Sequence, residues 1–95
     1  MNTLDFFSIE DLGEYVIDII YQKMPDSFCI PNINEKDLYL NLQNYLKEVL
    51  INIDIYYICD VMIIKYNNMN FTLTYKKLSC DNYGNIYYDF CIDLF

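Results

Sequence analysis

The side chains in this chain with the most chemical potential are its carboxylates and thiols. Among 95 residues there are 14 Asp and Glu, 4 Cys and no His. Catalysis near neutral pH draws mostly on His, a metal, an activated Cys or a carboxylate pair. Cys29, Cys59, Cys80 and Cys91 are widely spaced with no C-x-x-C pair. Neither a zinc site nor a disulfide framework is expected from that spacing, so the thiols read as reduced and mostly buried, in a cytoplasmic protein. Pairs such as Glu10 with Glu14, or Asp89 with Asp93, would act as acid and base, or hold Mg²⁺, only if burial or convergent ligands shifted one of them. With Gly13 and Gly84 as the only glycines, no phosphate-cradling loop can be built. The expectation is a protein without catalytic residues, metal or cofactor, acting by binding rather than as an enzyme.

The positive signal is the charge layout. The net charge is -8, and the first 37 residues hold eight acids against Lys23 and Lys36. Glu10, Asp11, Glu14 and Asp18 fall on one side of a helix that begins after Ser8. The Ser8 hydroxyl is placed to cap it, and the acids of its first turn favour the positive end of the helix dipole. Leu12, Val16, Ile19 and Ile20 take the opposite side. Four-residue steps put neighbouring carboxylates about 6 Å apart, roughly half the linear charge density of one DNA strand. Each neighbouring pair costs on the order of 0.7 kcal/mol in water, a cost with no folding benefit unless the face is used. Tyr15 and Tyr21 flank the stripe as aromatic anchors. Such a surface repels nucleic acid and anionic lipid and attracts basic partners.

The elements that position this stripe fit one domain spanning residues 1–95. The first helix runs from Ile9 to about Lys23, ended by Pro25. Residues 24–34, with two prolines, Asp, Ser and Asn, read as a connecting loop. Asn34, with Asp37 three positions on, caps a second helix from Glu35 to about Leu50, its buried stripe being Leu38, Leu42, Tyr45, Leu46 and Val49. Three strands follow: about eleven residues from Ile55 to Tyr66, then Asn70 to Leu78, then Ile86 to Phe95, with turns at 67–70 and 79–85. Short connections require antiparallel pairing. The expected fold is therefore α+β, two N-terminal helices on a three-stranded antiparallel meander (ααβββ).

One stretch resists this scheme. In YYICDVMIIKY, residues 56–66, both faces of a single strand would be apolar except at Asp60. It is no membrane span, since a central Asp costs about 2.5 to 3.5 kcal/mol on insertion, and the N-terminus, MNTLDFFSIEDLGE, lacks a signal-peptide pattern. As the first strand of a meander it would lie at a sheet edge and need cover. The cover is either the loop at 24–34 or the LDFF segment, residues 4–7, or the same strand of a second copy, in a homodimer joined through Ile58, Asp60, Met62 and Ile64, or else a different protein bound along the strand.

In size and acidic character, over its whole length, the chain resembles the small acidic inhibitors carried by phages and mobile elements. Anti-CRISPR proteins are among these, and some act as DNA mimics. It is also similar to immunity proteins that neutralise nuclease toxins. The resemblance implies inhibition of a nucleic-acid-handling enzyme or complex, with a basic surface of that protein as the partner and no direct contact with nucleic acid or membrane. The alternative from the residues is a structural or assembly protein that dimerises through the strand at 55–66.

Overall fold

The computed structural model describes residues 8–33, 36–78 and 82–95, together with the backbone of residues 2 and 3. The order is β1 (Asn2–Thr3), α1 (Ile9–Gln22), β2 (Asp26–Pro31), α2 (Leu38–Val49), β3 (Asp54–Ile58), β4 (Val61–Tyr66), β5 (Met69–Lys77) and β6 (Tyr87–Leu94). Strands β2 to β6 form a five-stranded antiparallel sheet in the order β2-β6-β5-β4-β3, and the short β1 pairs in parallel with β2. The expected class, α+β, holds, but the three-stranded meander does not. Two further strands enter the sheet.

The first comes from the apolar stretch. Instead of one long strand, residues 54–66 fold into a β3–β4 hairpin in which Ile58 faces Val61 across Cys59 and Asp60. Cys59 takes a left-handed φ of 49°, and the Val61 amide donates to the Cys59 carbonyl at 2.6 Å. Reversing the chain there resets which residues share a face. Ile55 and Tyr57 now lie beside Ile64 and Met62 on the inner side, while Tyr56 and Ile58 lie beside Ile63 and Val61 on the outer side. The doubly apolar pattern is thus two half-length strands of opposite parity. Cysteine is not a usual left-handed turn residue, which is why the turn escaped detection.

The second comes from residues 24–34, expected as a loop. Asp26–Pro31 forms β2, which pairs antiparallel with β6 from Asp26 opposite Ile92 to Pro31 opposite Tyr87. Phe28 and Ile30, two residues apart, are fully buried on the inner face. Pro31 ends the strand, where its missing N–H does little harm. This segment therefore lies on the side of the sheet away from β3, between β1 and β6, and does not cover the hairpin. The LDFF segment lies outside the described residues.

The helices follow the expected pattern more closely. Ser8 caps α1, accepting the Asp11 amide at 3.3 Å. Lys23 closes the helix in a left-handed conformation, its amide reaching the Ile19 and Ile20 carbonyls. Helix α2 starts at Leu38 rather than Glu35, after Asp37 in a left-handed conformation with no side-chain cap bond. Asn34 and Glu35 lie outside the described residues. Leu38, Leu42 and Leu46 are buried as expected, whereas Val49 is 49% exposed and Leu50, just past the helix end, is buried in its place.

Both helices contribute to the single core on the inner face of the sheet, with Leu12, Val16, Leu42, Leu46, Met62, Ile64, Phe71, Leu73, Phe90 and Ile92 all fully buried. Through it runs a line of rings: Tyr15 to Phe28 (4.7 Å between centroids), Phe28 to Phe90 (5.3 Å), Phe90 to Tyr75 (5.3 Å), Tyr75 to Tyr39 (5.3 Å) and Tyr39 to Tyr57 (5.5 Å). It ties α1, β2, β6, β5, α2 and β3 together, each ring pair adding about 0.5 to 1.5 kcal/mol beyond area burial.

The helices meet at Gly13. The Tyr45 ring of α2 occupies the space beside it, and a Cβ at position 13 would run into Tyr45 Cδ1 and Cε1. Gly13→Ala should therefore destabilise the fold by about 1 to 3 kcal/mol. In a Tyr45→Ala background the sign should reverse, since alanine is about 1 kcal/mol better than glycine inside a helix. Denaturant melts of the four chains in this double-mutant cycle measure both numbers.

Candidate protein-binding surfaces

The acidic stripe of α1 is positioned by amphipathicity alone: Leu12, Val16, Ile19 and Ile20 point into the core, so the opposite side must face water. Glu10, Glu14 and Asp18 are exposed, and Asp11 is half-buried. Among the described residues, Glu10, Glu14 and Asp18 make no ion pair. Their field reaches the neighbouring helix. The Tyr45 hydroxyl is pushed up from its ordinary pKa, by burial first and then by Glu14, Glu10 and Asp11. The carboxylates of α1 thus lie close enough to act on a side chain of α2.

The two tyrosines placed beside the stripe have different surroundings. Tyr15 is half-buried: its hydroxyl donates to Asp26 Oδ2 at 2.7 Å and its ring meets Phe28 edge-on. It joins α1 to β2. Tyr21 is 58% exposed, next to Tyr66 with 6.4 Å between ring centroids. Its hydroxyl is pushed up by the hydrogen bond with Tyr66. Tyr21 is thus a large aromatic side chain open to a partner near the last turn of the helix.

Of the residues assigned to a dimer interface, Ile58 is 56% exposed and Asp60 is exposed at the hairpin tip. Met62 and Ile64 are fully buried beneath the helices. The exposed apolar side chains of this hairpin are instead Tyr56, Tyr57 and Ile58, all on the edge strand β3. Tyr56 also carries Lys65 Nζ over its ring at 5.4 Å, a weak surface cation–π contact.

Beside that edge lies a feature that the sequence reading missed. Where α2 begins, the hairpin tip and β5 come together around an open groove of about 410 Å³ lined by Asp37, Tyr39, Leu40, Gln43, Tyr57 and Tyr75. Tyr57 bridges strand and helix, donating toward Gln43 Oε1 at 2.6 Å and the Tyr39 carbonyl at 3.1 Å. The Tyr39 hydroxyl reaches the Asp60 carbonyl at 3.0 Å and the Leu73 carbonyl at 3.3 Å. Its pKa is pushed up to about 12, by burial first, then by Tyr75, Asp60 and Tyr57. No local pattern links Tyr39 to Tyr57, because only the hairpin brings them together. The abundance of tyrosine was the one visible hint.

On the outer face of the sheet, Cys29, Asp89 and Cys91 lie close together across β2 and β6. Burial and Asp89 push the Cys29 thiol up, and burial with the bond to Asp93 at 3.3 Å does the same to Cys91. Both are therefore held in the less nucleophilic thiol form. Asp89 Oδ1 is buried with no hydrogen-bond partner among the described residues. Cys29, Cys59 and Cys91 are free thiols, and Cys80 lies outside the described residues. Among the described residues, no group of three or more Cys, Asp or Glu is arranged to hold a metal ion, and no helix is long and apolar enough to cross a membrane.

The protonated tyrosines make a pH prediction. Tyr15, pushed up to about 12 by burial and its bond to Asp26, keeps its proton in the folded chain above the unfolded value of 10, as does Tyr39. Between those values the unfolded state binds fewer protons, so stability should fall as pH rises from 10 to 12. Denaturant midpoints across this range should show that slope, and it should be shallower in Tyr39→Phe.

Matched against protein-family models, curated proteins and solved structures, the chain finds no counterpart.

Proposed function

We propose that this chain works by binding, with the acidic side of α1 occupying a basic groove on a nucleic-acid-handling protein and inhibiting it. The observation that carries this reading is the exposure of Glu10, Glu14 and Asp18 along a helix whose other side is locked into the core. A ridge so anchored presents its carboxylates without further ordering, which lowers the entropic cost of association. Asp11, half-buried, lies beside Glu10 in the first turn, and Tyr21 offers an aromatic contact at the margin of the ridge. Lys and Arg that normally meet phosphates would meet these carboxylates instead, so a DNA-binding site and this ridge compete for the same surface. A toxin-neutralising immunity protein would use the same ridge on a nuclease.

The test begins with affinity capture from the native host. Binding to the captured partner should weaken at least tenfold between about 50 and about 500 mM salt. It should weaken similarly when Glu10, Asp11, Glu14 and Asp18 are replaced together by Gln or Asn, and duplex DNA should displace the chain. Affinity unchanged by salt and by the fourfold variant would remove this mechanism.

A second reading, assembly of two copies through the hairpin, rests on β3 being the sheet's edge with Ile58 exposed. Since Met62 is in the core, a substitution there would test folding rather than assembly. Sedimentation should show a dimer for the native chain and a monomer for Ile58→Lys. A native chain that stays monomeric at millimolar concentration would exclude this reading.

A further inference from the structure

We infer that the β3 edge and the tyrosine groove beside it form a second docking site, which receives an extended basic segment of a partner protein as an added strand. The inference rests on the reading that the partner is basic, but it uses a surface separate from the α1 ridge. The first observation is the edge itself. Strand β3 ends the sheet, and Asp54–Ile58 contains no proline, no lysine and no break in its register with β4, the devices that normally discourage pairing at an edge. Among the described residues no strand pairs with the outer side of β3, so an incoming strand would meet a row of backbone donors and acceptors, with pockets for alternate side chains supplying selectivity.

The second observation is what lies beside that edge. Tyr57, on β3 and 41% exposed, forms one wall of the groove, while Leu40 and Gln43 of α2 form the other. Every second side chain of an added strand would point toward this side. The groove offers tyrosine rings for an apolar stem or a flat guanidinium, and the Asp37 carboxylate, which makes no cap bond, at its mouth. Asp60, exposed at the hairpin tip, adds a second carboxylate, near enough to Tyr39 to raise its pKa. Among the described residues no lysine lines the groove; Lys65 is paired opposite Asp54 at the other end of β3. Aromatic faces flanked by carboxylates are the surroundings that an arginine or lysine side chain prefers. A second copy of this chain fits the edge less well, because the two copies would each bring a net charge of -8.

The experiment is an NMR titration of the full chain with an acetylated, amidated heptapeptide alternating Arg and Val. A control peptide carries neutral citrulline in place of each Arg, and a second control carries N-methylated residues that cannot pair with a strand. The expected result is shift changes centred on the amides of Asp54–Ile58 and the rings of Tyr39 and Tyr57. Affinity should drop about threefold or more with citrulline, with Asp37→Asn combined with Asp60→Asn, and with the N-methylated peptide. The same changes should persist in the chain whose four α1 acids are neutralised, which separates this site from the ridge. Shift changes confined to α1, equal binding of the citrulline peptide, or β3 signals that move with protein concentration and no peptide, as self-pairing would produce, each overturn the inference.

Discussion

The sheet has one face that cannot be left in water, and covering it organises the whole molecule. Phe28, Ile30, Met62, Ile64, Phe71, Leu73, Phe90 and Ile92 come from four different strands, and all are fully buried on that face. Two amphipathic helices supply the other half of the core through Leu12, Val16, Leu38, Leu42 and Leu46. Burying a side chain of this size is worth about 1.5 to 3 kcal/mol relative to exposure, far more than any surface charge pair contributes. The line of rings from Tyr15 to Tyr57 crosses this core from one helix to the far edge of the sheet.

That dependence explains where the surface features lie. Because α1 must present its apolar side to the sheet, its acids are held outward and cannot turn away from a partner. The repulsion among them is small compared with the burial that anchors the helix. Gly13 permits the close approach of Tyr45 at the helix crossing, drawing α2 toward the acidic helix. On its other flank α2 meets the hairpin, where Tyr57 and Tyr39 exchange hydrogen bonds with groups of the opposing element. The groove arises where that flank is left only partly filled.

Local signals were enough to recover both helices and strands β5 and β6. Ser8, the 100° spacing of Leu12, Val16, Ile19 and Ile20, and the alternation of Phe71, Leu73 and Tyr75 are each legible within one element. The acidic stripe was legible for the same reason. Strand β2 was not, because two prolines and polar neighbours give residues 24–34 a loop-like composition, and its pairing with β6 spans some sixty positions. The hairpin turn was not, because Cys59 and Asp60 carry no glycine or asparagine to mark a left-handed φ. Asn67 and Asn68, both left-handed at 50° and 64°, do mark the next turn, and it was read correctly.

What the sequence determined by itself is the set of properties carried by period and composition: the dry and wet sides of both helices and of strands β5 and β6, the surplus of carboxylates, and their concentration on the first helix. Tertiary structure alone decided the parity switch at Cys59, which sent Met62 and Ile64 inward and left Ile58 outside. It also decided the entry of β2 into the sheet and the meeting of Tyr39, Tyr57 and Gln43 around a groove. The reason is physical. Periodicity records how neighbours in the chain share a surface, whereas strand order and groove shape follow from which distant segments exclude water together.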